Sequence, residues 1–323
     1  MSYFYQTQNI FVAGDFLPYS SQSLKIAQNF SQSTQAQVTL FHGVEKLSAV
    51  MRELLFPYAA LGSDEVEILR ELQAGVEERG REYIAKMGCK NTQLLVSFAR
   101  DSLAKSILHA ASEANADILF AGAYGTKPHT TGIIGSMAST MVAYSRIPFY
   151  LVKDPAASVK HQKILIALTE PCVSTKLMAW GVSFALRYGV SDIEIVSPLI
   201  DLKQCDRNDD FLGFKIADRY IEQAKERVTK RAKIAVQSLE LPFAFEEDAK
   251  KFSFRHHTPM GCAACGILSC AEEIAADLIV IAGAQPSLTH NNAQREIVRT
   301  VTEYANQNVL IIPRLRNECS ELV

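Results

Sequence analysis

No stretch of the 323 residues stays apolar over the ~18–20 positions that a bilayer-spanning helix needs, so no membrane-inserted segment is expected. Neither sign of charge dominates. There are 33 Lys and Arg against 35 Asp and Glu, a net charge of −2. No basic arm or stripe supplies the phosphate-neutralising field of a nucleic-acid binder. The N-terminal residues MSYFYQTQNIFVAGD carry no basic region ahead of an apolar one and no small-residue cleavage site, so a cytoplasmic location is the expectation. Also missing are the P-loop pattern G-x4-G-K-[ST], the dinucleotide pattern G-x-G-x-x-G and any second CxxC or spaced H-x3-H. The seven cysteines are an odd number gathered mainly in the second half, which argues for reduced thiols rather than a disulfide framework. What is there, 48% hydrophobic and 21% charged residues, is globular in composition, and the length predicts two domains, each with its own core.

The first half alternates. Asn9 to Gly14 is an apolar run closed by Gly14-Asp15, Ser20 to Phe30 has helical spacing, and Gln37 to Val44 is a β-branched and aromatic strand. Asp64 to Met87 reads as a long charged helix, Asn91 to Phe98 as a strand, Ser102 to Asn115 as a helix and Asp117 to Gly122 as a fourth strand. Such alternation predicts a parallel sheet with helices on both faces, with ligands beyond the carboxyl ends of its strands. Asp15, Gly43 and Gly122 all fall at such ends.

After Gly122 come Gly125, a polar loop through Thr131, and Gly135-Ser136 opening a new helix, giving G-x2-G-x9-G-S. The first two glycines are expected to permit positive φ and close backbone approach. The third position exposes the free N–H groups of a helix N-terminus, a natural anion site. The polar residues Lys127, His129, Thr130 and Thr131 read more simply as surface loop than as phosphate ligands.

This pattern, with Phe11-Val-Ala-Gly-Asp-Phe16, Leu40-Phe-His-Gly43 and Ser145-Arg-Ile-Pro148, resembles the ATP-binding branch of the universal stress protein family. The resemblance implies a Rossmann-like, adenine nucleotide alpha hydrolase-like α/β fold, with a five-stranded parallel sheet in each domain. It implies ATP, or ADP or AMP, with Mg2+ as a possible companion. Ala13, Gly14, Asp15 and Gly43 would hold the adenine and ribose end, and Gly122, Gly125, Gly135, Ser136 and Met137 the ribose and phosphates. Two positions depart from the pattern: Pro18-Tyr19 replaces a small polar residue and Gly43 an aliphatic one. Taken alone, Asp15 reads equally well as a turn or N-cap residue.

Asp154 to Lys160 breaks the pattern, which then restarts, so the expected division is 1–154, a linker at 155–160, and 161–323. Lys163 to Leu168, Leu177 to Leu186, Asp192 to Pro198, Phe211 to Leu239, Pro242 to Glu246 and Ala271 to Gly283 repeat the first half's elements. Aligning Gly283 with Gly122 implies one extra residue in the strand. It sets Pro286 against Gly125, Glu296-Ile297 against Gly135-Ser136 and Thr169 against Asp15. Proline and a carboxylate at those places spoil an anion site, so the second half reads as a degenerate partner in an intramolecular pseudo-dimer, with a homodimer also open.

That half also carries His256, His257, Cys262, Cys265 and Cys270. These are enough soft ligands for a metal, and the CxxC suits redox exchange, but their helical register favours buried packing cysteines and no metal centre. The reading is therefore a nucleotide-binding stress or regulatory protein, at most a slow ATPase. The alternatives are a redox or metal sensor built on the cysteines, and a small-molecule carrier or interaction scaffold.

Overall fold

In the computed structural model the described residues are 7–45, 63–89, 91–99, 102–125, 134–169, 175–198, 252–284 and 292–313, with five scattered positions between 219 and 230. The first half contains β1 (Asn9–Ala13), α1 (Pro18–Thr34), β2 (Gln37–Val44), α2 (Ser63–Lys86), β3 (Thr92–Phe98), α3 (Leu103–Glu113), β4 (Ile118–Gly122), α4 (Ser136–Tyr144) and β5 (Phe149–Val152). The second contains β6 (Ile164–Ala167), α5 (Thr175–Tyr188), β7 (Asp192–Val196), β8 (Ser253–His257), α6 (Ala263–Glu273), β9 (Leu278–Ala282), α7 (Asn292–Tyr304) and β10 (Asn308–Ile312).

All ten strands form one sheet in the order β3-β2-β1-β4-β5-β10-β9-β6-β7-β8, parallel throughout except where β5 meets β10 antiparallel. Central strands β5, β6, β9 and β10 are buried along their whole length, as expected where helices cover both faces. One apolar layer holds Leu24, Phe30, Trp180 and Phe184 from α1 and α5; the opposite layer holds Ile107, Met141, Ile267 and Val301 from α3, α4, α6 and α7. Each layer runs through both halves. The two apolar layers thus lie one on each face of a shared sheet.

The halves share local features at matching positions. Asp117 Oδ2 accepts from the backbone N–H groups of Gln8 and Asn9, and Asp277 Oδ2 does the same for Gln162 and Lys163. Asn115 and Ala275 share a left-handed φ, 48° and 52°. At the junction Tyr150 lies opposite Leu310, flanked by Phe149 opposite Ile311 and Leu151 opposite Val309. Leu119 pairs with Phe149 in β4–β5 as Ile279 pairs with Val309 in β9–β10, so Tyr150 and Leu310 are equivalent positions facing each other. The equivalent pair Phe30 and Phe184, whose helices end alike at left-handed Gln35 and Gly189, also touch, with ring centroids 5.2 Å apart. A pseudo-two-fold axis thus passes through both contacts, and a self-complementary interface is what such an axis demands.

Three expectations change. The strand beside β7 is Ser253–His257, whereas the stretch expected there, 242–246, lies outside the described residues, as does the helix expected over 211–239 apart from its scattered positions. The strand β8 is an edge strand with polar side chains, which hides it from any search for apolar runs. Strands β4 and β9 both have five residues, so the extra residue proposed for the repeat does not exist. Ala123 N–H donates to Val152 O and Gly283 N–H to Ile312 O, so Gly283 answers Ala123 and Ala282 answers Gly122. Through the matching helix ends, Tyr144 and Tyr304, the counterparts of Gly135-Ser136 become Arg295-Glu296.

Candidate functional site

The carboxyl ends of β1, β2 and β4 meet the start of α4. Gly14 N–H donates to Phe41 O at 2.9 Å, tying the end of β1 to β2. Asp15 turns the chain: its Oδ1 accepts from Leu17 N–H at 3.0 Å, and Phe16 follows in a left-handed conformation with φ 64°. The ring of Phe16 stacks on His42 at 4.5 Å, while His42 Nδ1 hydrogen-bonds Gly14 O at 2.8 Å. From β4 the chain passes Gly122, Ala123 and Tyr124 to Gly125, and Gly135 N–H donates to Ala123 O at 2.9 Å. That bond holds the N-terminus of α4 against the loop.

The structure therefore brings Ala13, Gly14, Asp15, Gly122, Gly125, Gly135, Ser136 and Met137 to one edge of the sheet, with Gly43 at the end of neighbouring β2. The polar loop 126–131 lies outside the described residues. Glycine has two distinct reasons to be here. A Cβ on Gly14 would lie 2.7 Å from Leu40, on Gly43 2.2 Å from Leu103 and on Gly122 2.6 Å from Tyr19, so packing demands those three. Among the described residues, the one neighbour within 4 Å at Gly125 would be Asp15 Oδ2 at 4.0 Å, and at Gly135 it would be Ala123 O at 3.5 Å. Neither contact forbids a side chain.

Positive φ does not explain the motif either, since Gly122, Gly125 and Gly135 are not among the left-handed residues, and Gly135 has φ −60°. The expectation of positive φ is corrected to close packing at Gly122 and, among the described residues, to space enough for a side chain at Gly125 and Gly135. That space lies between the Asp15 carboxylate and the start of α4. The first bond of the helix runs from Ser139 N–H to Gly135 O, so the N–H groups of Ser136, Met137 and Ala138 have no intrahelical acceptor. Orphan donors at the positive end of a helix dipole stabilise an anion.

Several neighbours escaped the sequence reading. Leu103 fills the volume that an aliphatic residue would take at Gly43, which accounts for the departure there. Tyr19 and Tyr124 meet edge to face at 5.2 Å, and desolvation raises both phenol pKa values, helped by Asp154 at Tyr19 and by Tyr19 at Tyr124. Lys153 Nζ lies 5.2 Å over the Tyr124 ring and donates to Thr302 O and Glu303 O at 2.7 and 2.9 Å. The favourable C-terminal charge on α7 thus comes from the first half, although burial lowers the Lys153 pKa to about 8. Only the run of buried β5 ahead of Lys153 hints at this.

In the second half the helix starts four residues, one turn, earlier relative to its counterpart, since Ser136 answers Glu296 but α7 begins at Asn292. Gln294 in that added turn is 4% exposed; its Nε2 donates to Ala282 O and its Oε1 accepts from Thr169 Oγ1, both at 2.7 Å. One amide thereby spans the place that answers the space between Asp15 and Gly122. Glu296 is exposed and paired with Arg299. Its role as a carboxylate at the helix start is corrected: it belongs to the second turn, and Gln294 is the residue that occupies the crevice. Pro286 lies outside the described residues.

The five candidate metal ligands do not converge. On β8, His256 Nε2 pairs with Ser197 Oγ at 2.9 Å and His257 Nε2 with Glu194 Oε2 at 2.7 Å. Cys270 is buried in an apolar layer, as expected of a packing residue, and burial pushes its thiol up to about 11. Cys262 and Cys265 are exposed, against the packing role expected of them: Cys262 is the N-cap of α6 and Cys265 lies in its first turn, outside the buried set Ala264, Ile267, Cys270 and Ala271.

Residues 6–153 match the universal stress protein family. No curated protein matches the chain. Among solved structures, a functionally unknown protein from Pseudomonas aeruginosa PAO1 is 15% identical with a TM-score of 0.60, over 96% of this chain and 94% of that one. A universal stress protein from Archaeoglobus fulgidus DSM 4304 is 15% identical with a TM-score of 0.59, over 96% of this chain and all of the other. At such identity the likeness is one of fold, and it spans both halves. No helix among the described residues is long and apolar enough to cross a membrane.

Proposed function

We propose that residues 1–154 are a universal stress protein domain that binds ATP, ADP or AMP at the crevice between Asp15 and the start of α4. Residues 155–160 then act as a linker, and residues 161–323 form a second domain of the same kind whose crevice is filled. In this reading Ala13, Gly14, Asp15 and the Gly43 backbone take the adenine and ribose end, while Gly122, Gly125, Gly135, Ser136 and Met137 take the ribose and phosphates, with Mg2+ accompanying a triphosphate. What supports it is the room for a side chain, among the described residues, at Gly125 and Gly135, beside the Ser136 and Met137 N–H groups that have no intrahelical acceptor.

The proposed role is regulatory, in a cytoplasmic stress response, rather than catalytic. Asp15 is the carboxylate at this crevice, and it is placed at the ribose end, away from the terminal phosphate that a hydrolytic base must serve. Denaturing the purified protein and chromatographing the supernatant tests the reading, together with calorimetric titration of nucleotide-free protein with ATP, ADP and AMP. Released adenine nucleotide or saturable heat is expected; absence of both overturns the proposal.

A further inference from the structure

Among the described cysteines, Cys262 and Cys265 at the start of α6 are exposed, whereas Cys89 and Cys270 are buried. Cys262 is the N-cap of α6, and its Sγ accepts from Cys265 N–H at 3.4 Å. The equivalent cap in α3 is Ser102, whose Oγ accepts from Lys105 N–H at 3.3 Å. Sulfur is the weaker acceptor, and an oxygen side chain is the favoured cap, so helix stability does not account for cysteine here. Nor does packing, since cysteine is usually buried and both of these are exposed. The Cys265 thiol donates to Cys262 Sγ with the sulfurs 2.6 Å apart.

We propose that Cys262 and Cys265 are a reversible dithiol–disulfide site, with Cys262 the attacking thiolate, Cys265 the resolving thiol and a low-molecular-weight disulfide the oxidant. The Cys262 thiol is held below its ordinary range first by the Cys265 S–H, then by the backbone N–H of Cys265, while Cys265 is raised by giving up that hydrogen bond. Low pKa and exposure are what make a thiol reactive, and a helix N-terminus favours the thiolate.

In the first step Cys262 S⁻ attacks one sulfur of R–S–S–R, forming Cys262–S–S–R and expelling RS⁻. Cys265, having lost its proton to solvent, then attacks the Cys262 sulfur and expels the second RS⁻. The two cysteines lose two electrons and two protons, and R–S–S–R becomes two R–SH. Cys270 takes no part, because burial keeps it protonated on the inner side of the same helix. The site needs nothing from the nucleotide crevice of the first half, so the two proposals stand or fall separately.

The test uses the full-length protein equilibrated with mixtures of reduced and oxidised glutathione, followed by alkylation and peptide mass mapping of all seven cysteines. A 262–265 disulfide is expected whose fraction follows the glutathione ratio and reverses on reduction, with circular dichroism unchanged. Cys265→Ser is expected to trap one glutathione on Cys262. Under limiting alkylating agent at neutral pH, Cys262 is expected to react at least tenfold faster than Cys265. Equal rates, or both thiols remaining free in oxidised glutathione, overturn the proposal. So does a disulfide from Cys262 or Cys265 to any other cysteine of the chain.

Discussion

The sharpest perturbation of the proposed nucleotide site is Gly135→Glu. Gly135 is the N-cap of α4 with φ −60° and ψ 150°, a conformation open to any residue, and among the described residues its Cβ would meet Ala123 O alone, at 3.5 Å. The substitution therefore needs no rearrangement of the backbone. It sets a carboxylate beside the N–H groups of Ser136 and Met137, where the phosphates would lie. At about 5 Å and an effective dielectric constant near 20, one like-charge pair costs about 3 kcal/mol, and solvent at the helix start reduces that to about 1.5–3 kcal/mol. Affinity should fall about 10–100-fold. Without nucleotide the sign reverses, because a carboxylate at a helix N-terminus stabilises it by about 0.3–1 kcal/mol.

A melting series separates these effects. At nucleotide a hundredfold above the wild-type Kd, binding contributes about 2.7 kcal/mol; after a hundredfold loss of affinity it contributes about 0.4 kcal/mol. The variant should melt at or slightly above wild type alone and well below it with ATP. Gly135→Gln, equal in size and neutral, should keep affinity within about threefold. If Gly135→Glu retained the full nucleotide shift, the anion would lie elsewhere. If Gly135→Gln lost it as well, bulk rather than charge would be responsible and the electrostatic argument would fail.

Other outcomes follow from the same geometry. Gln294→Ala strands Ala282 O and should destabilise the chain by about 1–3 kcal/mol in urea titration without creating a second nucleotide site by calorimetry, because Thr169 still stands in place of Asp15. His161, 2% exposed and lowered to about 4 by burial, takes its proton later than the unfolded chain does, so wild-type stability should drop by about 3 kcal/mol between pH 6.5 and 4. In His161→Phe that component of the drop should vanish, and an unchanged pH profile would refute the assignment. Lys153, lowered to about 8 from 10.5, loses its proton earlier in the folded state, so it should add about 1–3 kcal/mol of stability between pH 8 and 10.5, a rise that Lys153→Met should lack.

Strands buried on both faces were legible because they are short apolar runs: the boundaries expected for β1, β2 and β4 agree with the structure to within a residue. Edge strand β8 was not legible, since Arg255, His256 and His257 bond to Asp192, Glu194 and Ser197 and so read as surface or ligands. The repeat was legible but its register was not. Glycine identity drew Gly283 onto Gly122, whereas backbone pairing answers Gly122 with Ala282, and that one-residue slip hid the added turn of α7. Packing-dependent facts had no sequence signal at all: Leu103 filling the space at Gly43, the Phe30–Phe184 contact and the reach of Lys153 to Thr302 each join segments more than 50 residues apart.

The asymmetry of the halves has a physical basis in the sheet they share. Antiparallel pairing of β5 with β10 fixes the axis, and the buried Tyr150, Phe184 and His161 rings packed beside it commit both halves to one geometry. With the scaffold held by that interface, each crevice is free to diverge. In the first, glycine at 125 and 135 leaves a space and α4 begins late, so its donors stay open. In the second, the earlier start of α7 satisfies the equivalent donors within the helix and brings Gln294 across the gap. The helix starts beside the crevices differ as well: α6 carries exposed Cys262 and Cys265 where α3 carries Ser102 and Lys105.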